Sequence, residues 1–456
     1  MPVIAEVLAA AETAARPWAK LPLERRAAAL DAVADALDGA AGELVPLAQQ
    51  ESHLPEARLR GELGRTTFQL RLFARQVREG FEVIADEADP DWPVGPRPAL
   101  RRVLVPLGPV VVFAASNFPF AFSVAGGDTA SALAAGCPVA VKAHPGHPRL
   151  SDATGEIVAR ALTGAGAPEG TFAVFHGDEA GRDAVLDPRV KAVAFTGSLR
   201  GGRALFDLAM SRPEPIPFYG ELGSVNPVFV TPAAAEARAG EIASGYVDSF
   251  TMGAGQFCTK PGLLVVPSES GLAEAAAERV RAKAAAPLLN ERIATGYTAG
   301  LGRLTGHADV RVLVRGAETE DGPAPTLLAT TASALLEHGD ELGAECFGPV
   351  SLVVRYDDEE QLLAVARSLE GQLTGTVHGE ESDAVAPSLL EELAARAGRV
   401  LWNGWPTGVS VTHAMHHGGP YPATTSPLHT SVGTTATARF LRPVAFQNVP
   451  KQLMPV

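Results

Sequence analysis

One cysteine lies in a segment suited to chemistry rather than to packing. Cys258 stands in the stretch MGAGQFCTKPG, residues 252–262, and the chain contains only three cysteines. A cysteine kept for packing usually lies among branched aliphatic residues, whereas small and flexible residues surround this one. They permit a tight turn and leave room for a ligand beside the sulfur, so the pattern predicts a reactive thiol.

Two further side chains suited to catalysis lie beside apolar runs. Asn117 in AASNFPF precedes a Phe-Pro pair that stops a helix, and its amide can donate a hydrogen bond to a developing oxyanion. Glu221 lies between glycines in FYGELGSVNPVFV, where a carboxylate of raised pKa would serve as a general base. Each also has a structural interpretation, because the asparagine would stabilise its own turn and the glutamate would accept backbone hydrogen bonds.

Two motifs suit a dinucleotide. Lys142 ends the apolar run in VAVKAHPGHP, at an edge where α/β sheets bind ligands, and it would meet a ribose hydroxyl or a phosphate. In AVAFTGSLRGGR a strand runs into Gly197, Ser198 and Gly202 and then into a helix, whose free N–H groups suit a phosphate. The alternatives are a solvated lysine and an ordinary strand-to-helix turn.

The pattern of the chain places these motifs in two α/β regions. The first hundred residues read as helices, with Leu30, Val33 and Leu37 at helical spacing. From Arg101 onward short apolar strands alternate with helical segments, and a second alternating region follows Cys258, which predicts parallel sheets covered by helices. The polar, proline-rich stretch DEADPDWPVGPRP reads as a linker or as an excursion outside the main fold. The C-terminal stretch ARFLRPVAFQNVP predicts a strand used for oligomer contacts.

Composition excludes several classes of function. The chain has 456 residues and a formal net charge of -14, which argues against a nucleic-acid partner. No run of about 18 apolar residues occurs, so no membrane span is expected. An odd number of cysteines favours reduced thiols and a cytoplasmic protein over a disulfide framework.

Taken in order, the motifs resemble those of the aldehyde dehydrogenase superfamily. The matching positions, from about Leu21 to the C-terminus, are Asn117, Lys142, Gly197, Gly202, Glu221, Cys258, Glu345 and Phe347. The resemblance implies an α/β fold with a Rossmann-like parallel-sheet cofactor domain, an α/β catalytic domain and a small oligomerisation element. It divides the chain into a cofactor-binding domain (1–87 and 107–222), a catalytic domain (223–425) and oligomerisation or bridging segments (88–106 and 426–456).

The same resemblance implies a role for each matching residue. Cys258 would attack an aldehyde, the Asn117 amide would hold the oxyanion with the Cys258 N–H, and Glu221 would activate the water that hydrolyses a thioester. The implied cofactor-binding residues are Lys142, Gly197, Ser198, Gly202, Glu345 and Phe347. Cys137 and Cys346 match no nucleophile position and are interpreted as structural.

The cofactor and substrate are also expectations from the resemblance. Many NAD-using relatives carry a glutamate three residues after the lysine, but Pro145 stands here, so we expect NADP, with NAD as the alternative. Lys142, Arg149 or His144 would supply the positive charge for a 2′-phosphate. The motif variants look most like the branch of 2,5-dioxopentanoate (α-ketoglutarate semialdehyde) dehydrogenases and NADP-dependent fatty aldehyde dehydrogenases.

Of these two substrates 2,5-dioxopentanoate is preferred, so we expect a small-molecule aldehyde to be oxidised to 2-oxoglutarate. We also expect a cytoplasmic homodimer or homotetramer. An aliphatic aldehyde, acyl transfer to coenzyme A and an inactive binding protein are the alternatives. The retained Cys258, Glu221 and Asn117 argue against an inactive protein, and Glu221 favours hydrolysis over acyl transfer. No arginine can be assigned to the substrate carboxylate from sequence.

A histidine-rich segment, VSVTHAMHHGGPYPATTSPLHT, holds the last candidates. The spacing of His413 and His417 would suit two metal ligands on a helix, with His416 between them. Glycine and proline follow at once and no carboxylate completes the set, so we expect no metal site. A loop that lines the substrate entrance is the preferred interpretation.

Overall fold

The computed structural model describes residues 3–454, and the chain begins with a cap of four helices. These are α1 (Ile4–Ala19), α2 (Leu23–Gly39), α3 (Ala41–Ser52) and α4 (Glu56–Glu79). Leu30, Val33 and Leu37 are fully buried on one face of α2, as their helical spacing predicts. Two antiparallel strands follow, β1 (Ile84–Asp86) and β2 (Leu100–Pro106), with the proline-rich stretch between them.

A five-stranded parallel sheet covered by helices forms the next body. Its elements are β3 (Val110–Phe113), α5 (Gly127–Ala135), β4 (Val139–Lys142), α6 (Pro148–Gly164), β5 (Phe172–Phe175), α7 (Asp178–Leu186), β6 (Ala192–Thr196), α8 (Leu199–Met210) and β7 (Phe218–Glu221). The strand order is β5-β4-β3-β6-β7. Because parallel strands point the same way, Lys142, Thr196 and Glu221 end at one edge of this sheet.

A seven-stranded sheet forms the second body. Its elements begin with β8 (Val228–Val230), α9 (Pro232–Thr251), β9 (Leu263–Pro267), α10 (Leu272–Arg281), α11 (Glu291–Gly306) and β10 (Arg311–Val314). They continue, after the hairpin β11 (Glu318–Thr319) and β12 (Gly322–Pro323), with β13 (Thr326–Thr331), α12 (Ala332–Glu337), α13 (Gly339–Leu342), β14 (Val350–Tyr356), α14 (Glu359–Ser368), β15 (Gln372–His378), α15 (Ala386–Ala394) and β16 (Ala397–Trp402). The order is β10-β13-β14-β9-β8-β15-β16, and β10 alone among these runs antiparallel to its neighbour.

The C-terminal stretch returns to the front of the chain. Strand β17 (Leu441–Gln447) pairs antiparallel with β2 over the whole length of both strands. The predicted C-terminal strand is therefore confirmed, and its use in oligomer contacts stays a prediction. Short 3-10 helices at Met252–Gly255, Thr434–Phe440 and Lys451–Leu453 complete the described elements.

The two sheets agree with the α/β fold class expected from the sequence, with parallel strands alternating with helices in both regions. The domain ranges given above stay a prediction. Among residues 3–454, no helix is both long and apolar enough to cross a membrane.

Candidate active site

The Cys258 segment is a strained turn held by close backbone packing. It follows the 3-10 helix Met252–Gly255, in which Gly253, Ala254 and Gly255 all have positive φ. A Cβ on Gly255 would lie 2.1 Å from the carbonyl oxygen of Gly348, so this position requires glycine. On the far side, Asn226 Nδ2 donates to the Cys258 carbonyl at 2.8 Å, which fixes the backbone of the thiol-bearing residue.

The thiol lies against a carboxylate and an imidazole that come from distant parts of the chain. Glu221 ends β7, and its Oε1 lies 3.0 Å from Nε2 of His417, while its Oε2 accepts a hydrogen bond from Ser431 at 2.8 Å. His417 Nε2 is 3.6 Å from Sγ of Cys258. Both Glu221 and His417 are buried. We call Cys258, Glu221 and His417 the thiol–carboxylate–imidazole cluster.

Within this cluster the thiol is protonated and the carboxylate is ionised. Burial, reinforced by the Glu221 charge, raises the pKa of the Cys258 thiol well above its ordinary value, so the resting sulfur is protonated. Burial alone would raise the pKa of Glu221, but the His417 imidazole and the hydrogen bonds from Ser431 and Cys258 hold it below its ordinary value. The expectation of a raised carboxylate pKa is therefore wrong, because polar partners outweigh desolvation. The cluster pairs a neutral thiol with an ionised base.

Asn117 reaches the thiol segment from the other sheet. It follows β3, and its Nδ2 donates to the carbonyl of Gln256, two residues before Cys258, at 3.2 Å. Its own carbonyl accepts a hydrogen bond from Arg58 at 2.8 Å, which fixes the loop. The amide nitrogen keeps a second hydrogen for another acceptor beside the thiol, a geometry that suits a developing oxyanion.

Glu345 and Phe347 approach from the loop before β14. The Glu345 carboxylate packs against the backbone of Gly223, since a Cβ there would lie 2.7 Å from Oε2, and burial raises the pKa of Glu345 to about 7. Phe347 is half-buried in the same loop. Lys260, buried, donates from Nζ to the carbonyls of Cys346 at 2.7 Å and Val350 at 2.9 Å, and so joins this loop to the Cys258 segment.

The turn between β6 and α8 presents an exposed helix start. The Ser198 hydroxyl accepts the N–H of Gly201 at 3.3 Å and caps α8, and Gly197 and Ser198 are both exposed. A Cβ on Gly202 would lie 2.1 Å from the Leu222 side chain, which explains the glycine by packing. The N–H of Gly197 donates to the carbonyl of Glu221 at 3.0 Å, so this turn adjoins the cluster.

Lys142 ends β4 at the same sheet edge, where its side chain pairs with a carboxylate of the protein. Its Nζ lies 2.6 Å from the carboxylate of Asp178, the first residue of α7, which no sequence argument had singled out. Of the other cations expected here, Arg149 pairs with Glu51 at 3.3 Å. Burial lowers the pKa of His144 to about 3, so the expectation that His144 supplies positive charge is wrong.

His417 is the main residue of the site that sequence reasoning missed. Residues 413–417 form no helix, which agrees with the preferred interpretation of this segment as a loop; His413 contacts Thr434, while His417 turns to Glu221. The three cluster atoms do lie within 4.8 Å of one another, close enough to share a metal ion. A separation of 159 residues from Cys258 leaves no local signal by which the pairing could be found. Cys137 and Cys346 are buried free thiols, and their structural role stays a prediction.

Comparison with known proteins gives the same family along nearly the whole chain. The model of the aldehyde dehydrogenase family matches residues 3–421. The chain is 48% identical over 445 residues to alpha-ketoglutaric semialdehyde dehydrogenase 2 of Azospirillum brasilense, covering 95% of this chain and 84% of that protein. It is 44% identical over 440 residues to the alpha-ketoglutaric semialdehyde dehydrogenase of Acinetobacter baylyi, with coverage of 95% and 84%.

Solved structures share the fold at lower identity. A lactaldehyde dehydrogenase superposes with a TM-score of 0.84 at 22% identity, covering 98% of this chain and 91% of its own. An NADP-dependent glyceraldehyde-3-phosphate dehydrogenase from Bacillus halodurans, complexed with NADP, superposes with a TM-score of 0.82 at 21% identity, covering 97% and 90%. The chain belongs to the aldehyde dehydrogenase family and is an oxidoreductase that acts on the aldehyde group.

Proposed function

We propose that this enzyme oxidises 2,5-dioxopentanoate to 2-oxoglutarate with NADP, through a thioester on Cys258. The observation that carries the mechanism is the thiol–carboxylate–imidazole cluster, with the sulfur 3.6 Å from His417 and His417 3.0 Å from Glu221. The names of the relatives at 48% and 44% identity support the substrate.

The first step is addition of the Cys258 sulfur to the aldehyde carbon. The thiol proton passes to the Glu221 carboxylate, a new C–S bond forms, and the carbonyl oxygen becomes an oxyanion beside the Asn117 amide. His417 holds Glu221 ionised and directed at the sulfur, since its Nε2 donates to Oε1. NADP, when bound, supplies the acceptor for the hydride that leaves the former aldehyde carbon. Cys258 then carries a thioester.

Hydrolysis of the thioester returns the enzyme to its starting state. Glu221 must first release the thiol proton, and it then takes a proton from water as the water oxygen attacks the thioester carbon. The C–S bond breaks, 2-oxoglutarate leaves, and the proton taken up by Glu221 passes to the Cys258 sulfur, which restores the neutral thiol and the ionised carboxylate. Transfer to coenzyme A needs no such base, so the buried, ionised Glu221 favours water as the acceptor.

The residues at the sheet edge fit a dinucleotide. The N–H groups of Leu199 and Arg200, the first two residues of α8, have no acceptor among the described residues, and the exposed Ser198 hydroxyl stands beside them, so this helix start suits a diphosphate. Lys142 would meet the adenosine ribose, with Glu345 and Phe347 beside the nicotinamide. The Asp178 carboxylate beside Lys142 reduces the positive charge offered to a 2′-phosphate, which keeps NAD as the alternative cofactor.

Assembly and location extend the proposal. The exposed residues of β17 support a homodimer or homotetramer built through the β1-β2-β17 sheet, and the three free thiols support a reducing, cytoplasmic setting.

The test is steady-state kinetics of purified wild type and two cysteine variants. Wild type should turn over 2,5-dioxopentanoate with a higher kcat/KM than pentanal or hexanal. Cys258→Ala should lose at least about 10³-fold in kcat, because no other nucleophile lies in the cluster, while Cys346→Ala should keep most activity. Retained oxidation in Cys258→Ala would disprove the mechanism, and a preference for hexanal would replace the substrate by an aliphatic aldehyde.

A further inference from the structure

Three arginines surround the thiol segment without a carboxylate partner. Arg58 and Arg65 lie seven positions apart on α4, on one face of the helix, and Arg399 lies in β16. Among the described residues none of them forms an ion pair within 4.0 Å, whereas the exposed Arg60 on the same helix pairs with Glu56 at 2.7 Å. Half-buried cations without counterions are costly, so a missing anion is the natural explanation.

Arg58 lies against both segments that frame the thiol. Its guanidinium carbon is 5.2 Å from the ring centroid of Phe118, which follows Asn117, and 4.7 Å from that of Phe257, which precedes Cys258. Nη2 is used by the Asn117 carbonyl, and Nη1 is buried without a partner.

Arg65 lies one aromatic ring away from the cluster. Its guanidinium carbon is 5.9 Å from the centroid of Phe122, and the ring of Phe122 is 6.4 Å from the ring of His417. Nη1 donates to the carbonyl of Val409, whereas Nε is buried with no partner and Nη2 has none among the described residues. The Nε–Nη2 edge is the side of a guanidinium that binds a carboxylate through two parallel hydrogen bonds.

From strand β16, Arg399 reaches the loop that Arg65 contacts. It donates to the carbonyls of Gly408 at 3.0 Å and Pro406 at 2.6 Å, next to the Val409 carbonyl that Arg65 uses. Two guanidinium groups from different elements therefore meet at one short loop.

The one acidic residue on this face of α4 does not neutralise the arginines. Glu62 is buried, and its Oε1 accepts the N–H groups of Phe120 at 2.7 Å and Ala121 at 3.0 Å. Its second oxygen has no partner, and it forms no ion pair with Arg58 or Arg65 among the described residues. Glu62 thus fixes the loop after Asn117, and its charge acts on Arg58 and Arg65 only from beyond ion-pair distance.

We propose that Arg65, flanked by Arg58 and Arg399, binds the carboxylate of the aldehyde substrate. This inference rests on the proposed function and explains how a chain of net charge -14 accepts an anion. In 2,5-dioxopentanoate four carbon–carbon bonds of about 1.5 Å separate the aldehyde from the carboxylate. An arginine one aromatic ring away from the cluster therefore favours short aldehydes that end in a carboxylate.

The experiment compares anionic and neutral aldehydes in wild type and Arg65→Met, with NADP saturating. The kcat/KM for 2,5-dioxopentanoate and for succinate semialdehyde should fall about 10- to 100-fold, mainly through KM, since charge-assisted hydrogen bonds are lost. The value for pentanal should change less than about threefold, and so should KM for NADP. Inhibition by 2-oxoglutarate should weaken in parallel with the anionic substrates.

Two further variants keep the inference testable. Arg60→Met removes an exposed arginine from the same helix and should leave kcat/KM unchanged for all three substrates. Arg65→Lys keeps the charge but loses the edge that binds a carboxylate through two hydrogen bonds. It should lower kcat/KM only for the anionic substrates, and by less than Arg65→Met does. An equal loss for pentanal and the anionic aldehydes, or no loss for either, would overturn the assignment. A wild type that prefers pentanal to 2,5-dioxopentanoate would instead refute the proposed substrate, while succinate semialdehyde would still report on Arg65.

Discussion

Replacing His417 by leucine should move the pH dependence of catalysis. The imidazole donates a charge-assisted hydrogen bond to the buried Glu221 at 3.0 Å, an interaction worth about 1.5–3 kcal/mol. Losing this hydrogen bond raises the pKa of Glu221, and each 1.36 kcal/mol of lost interaction corresponds to one pH unit. The acidic limb of kcat/KM should therefore shift about one to two units toward higher pH, with a smaller change on the alkaline plateau.

The assay is kcat/KM measured from about pH 5 to 10, together with the rate of thiol alkylation by iodoacetamide, which should show the same limb. His416→Leu is the matched control, since His416 is half-buried beside His417 and makes no contact with Glu221 among the described residues. An unchanged limb in His417→Leu, or an equal shift in His416→Leu, would refute the role given to the imidazole.

The same linkage predicts a stability effect with a definite sign. Because partners hold the pKa of Glu221 below its ordinary value in the folded state, they stabilise the fold above the unfolded-state pKa. That contribution is lost as the pH falls through the folded pKa. Urea unfolding of His417→Leu should accordingly show lower stability than wild type at pH 7, and the two proteins should converge in acid.

Three more perturbations follow from the site. Asp178→Asn should raise the ratio of kcat/KM for NADP to kcat/KM for NAD several-fold, because it removes the counterion of Lys142. The control Glu179→Gln, at an exposed neighbouring position, should leave that ratio unchanged. An unchanged ratio in Asp178→Asn would place the 2′-phosphate elsewhere. Gly202→Ala should destabilise the fold by about 1–3 kcal/mol, seen as a lower Tm, while Gly61→Ala, with open space around it, should not; equal Tm values would contradict the packing argument. Micromolar Zn²⁺ should inhibit the wild type reversibly through the thiol–carboxylate–imidazole cluster, and EDTA should restore activity; inhibition that persists in His417→Leu would place the metal elsewhere.

Local patterns were enough to predict the frame of the molecule. The alternation of short apolar runs with helices gives both parallel sheets, and the buried stripe of α2 follows from leucine and valine at helical spacing. The resemblance to a family placed Cys258, Glu221 and Asn117 in one site; in the structure the Cys258 and Glu221 side chains lie within 4.8 Å of each other, and the Asn117 amide contacts the Gln256 carbonyl of the Cys258 segment.

Contacts between distant segments could not be predicted in this way. The pairing of His417 with Glu221 spans 196 residues, and whether burial or hydrogen bonding controls the carboxylate depends on that pairing. The Lys142–Asp178 pair likewise depends on where α7 begins relative to β4. Arg65 lies on a helix far from every motif, so only the folded structure shows that it faces the thiol segment.

The buried ammonium of Lys260 has a consequence for motion. It stands two residues after the nucleophile, and its Nζ is held by backbone carbonyls of the loop that carries Glu345. Pulling that loop away would leave a cation in a dry interior with no acceptors, at a cost of several kcal/mol. We therefore expect the nucleophile and the Glu345 loop to move together during turnover. Amide hydrogens on both sides of Lys260 should exchange with solvent at matched, slow rates, and domain closure around a ligand must use hinges elsewhere in the chain.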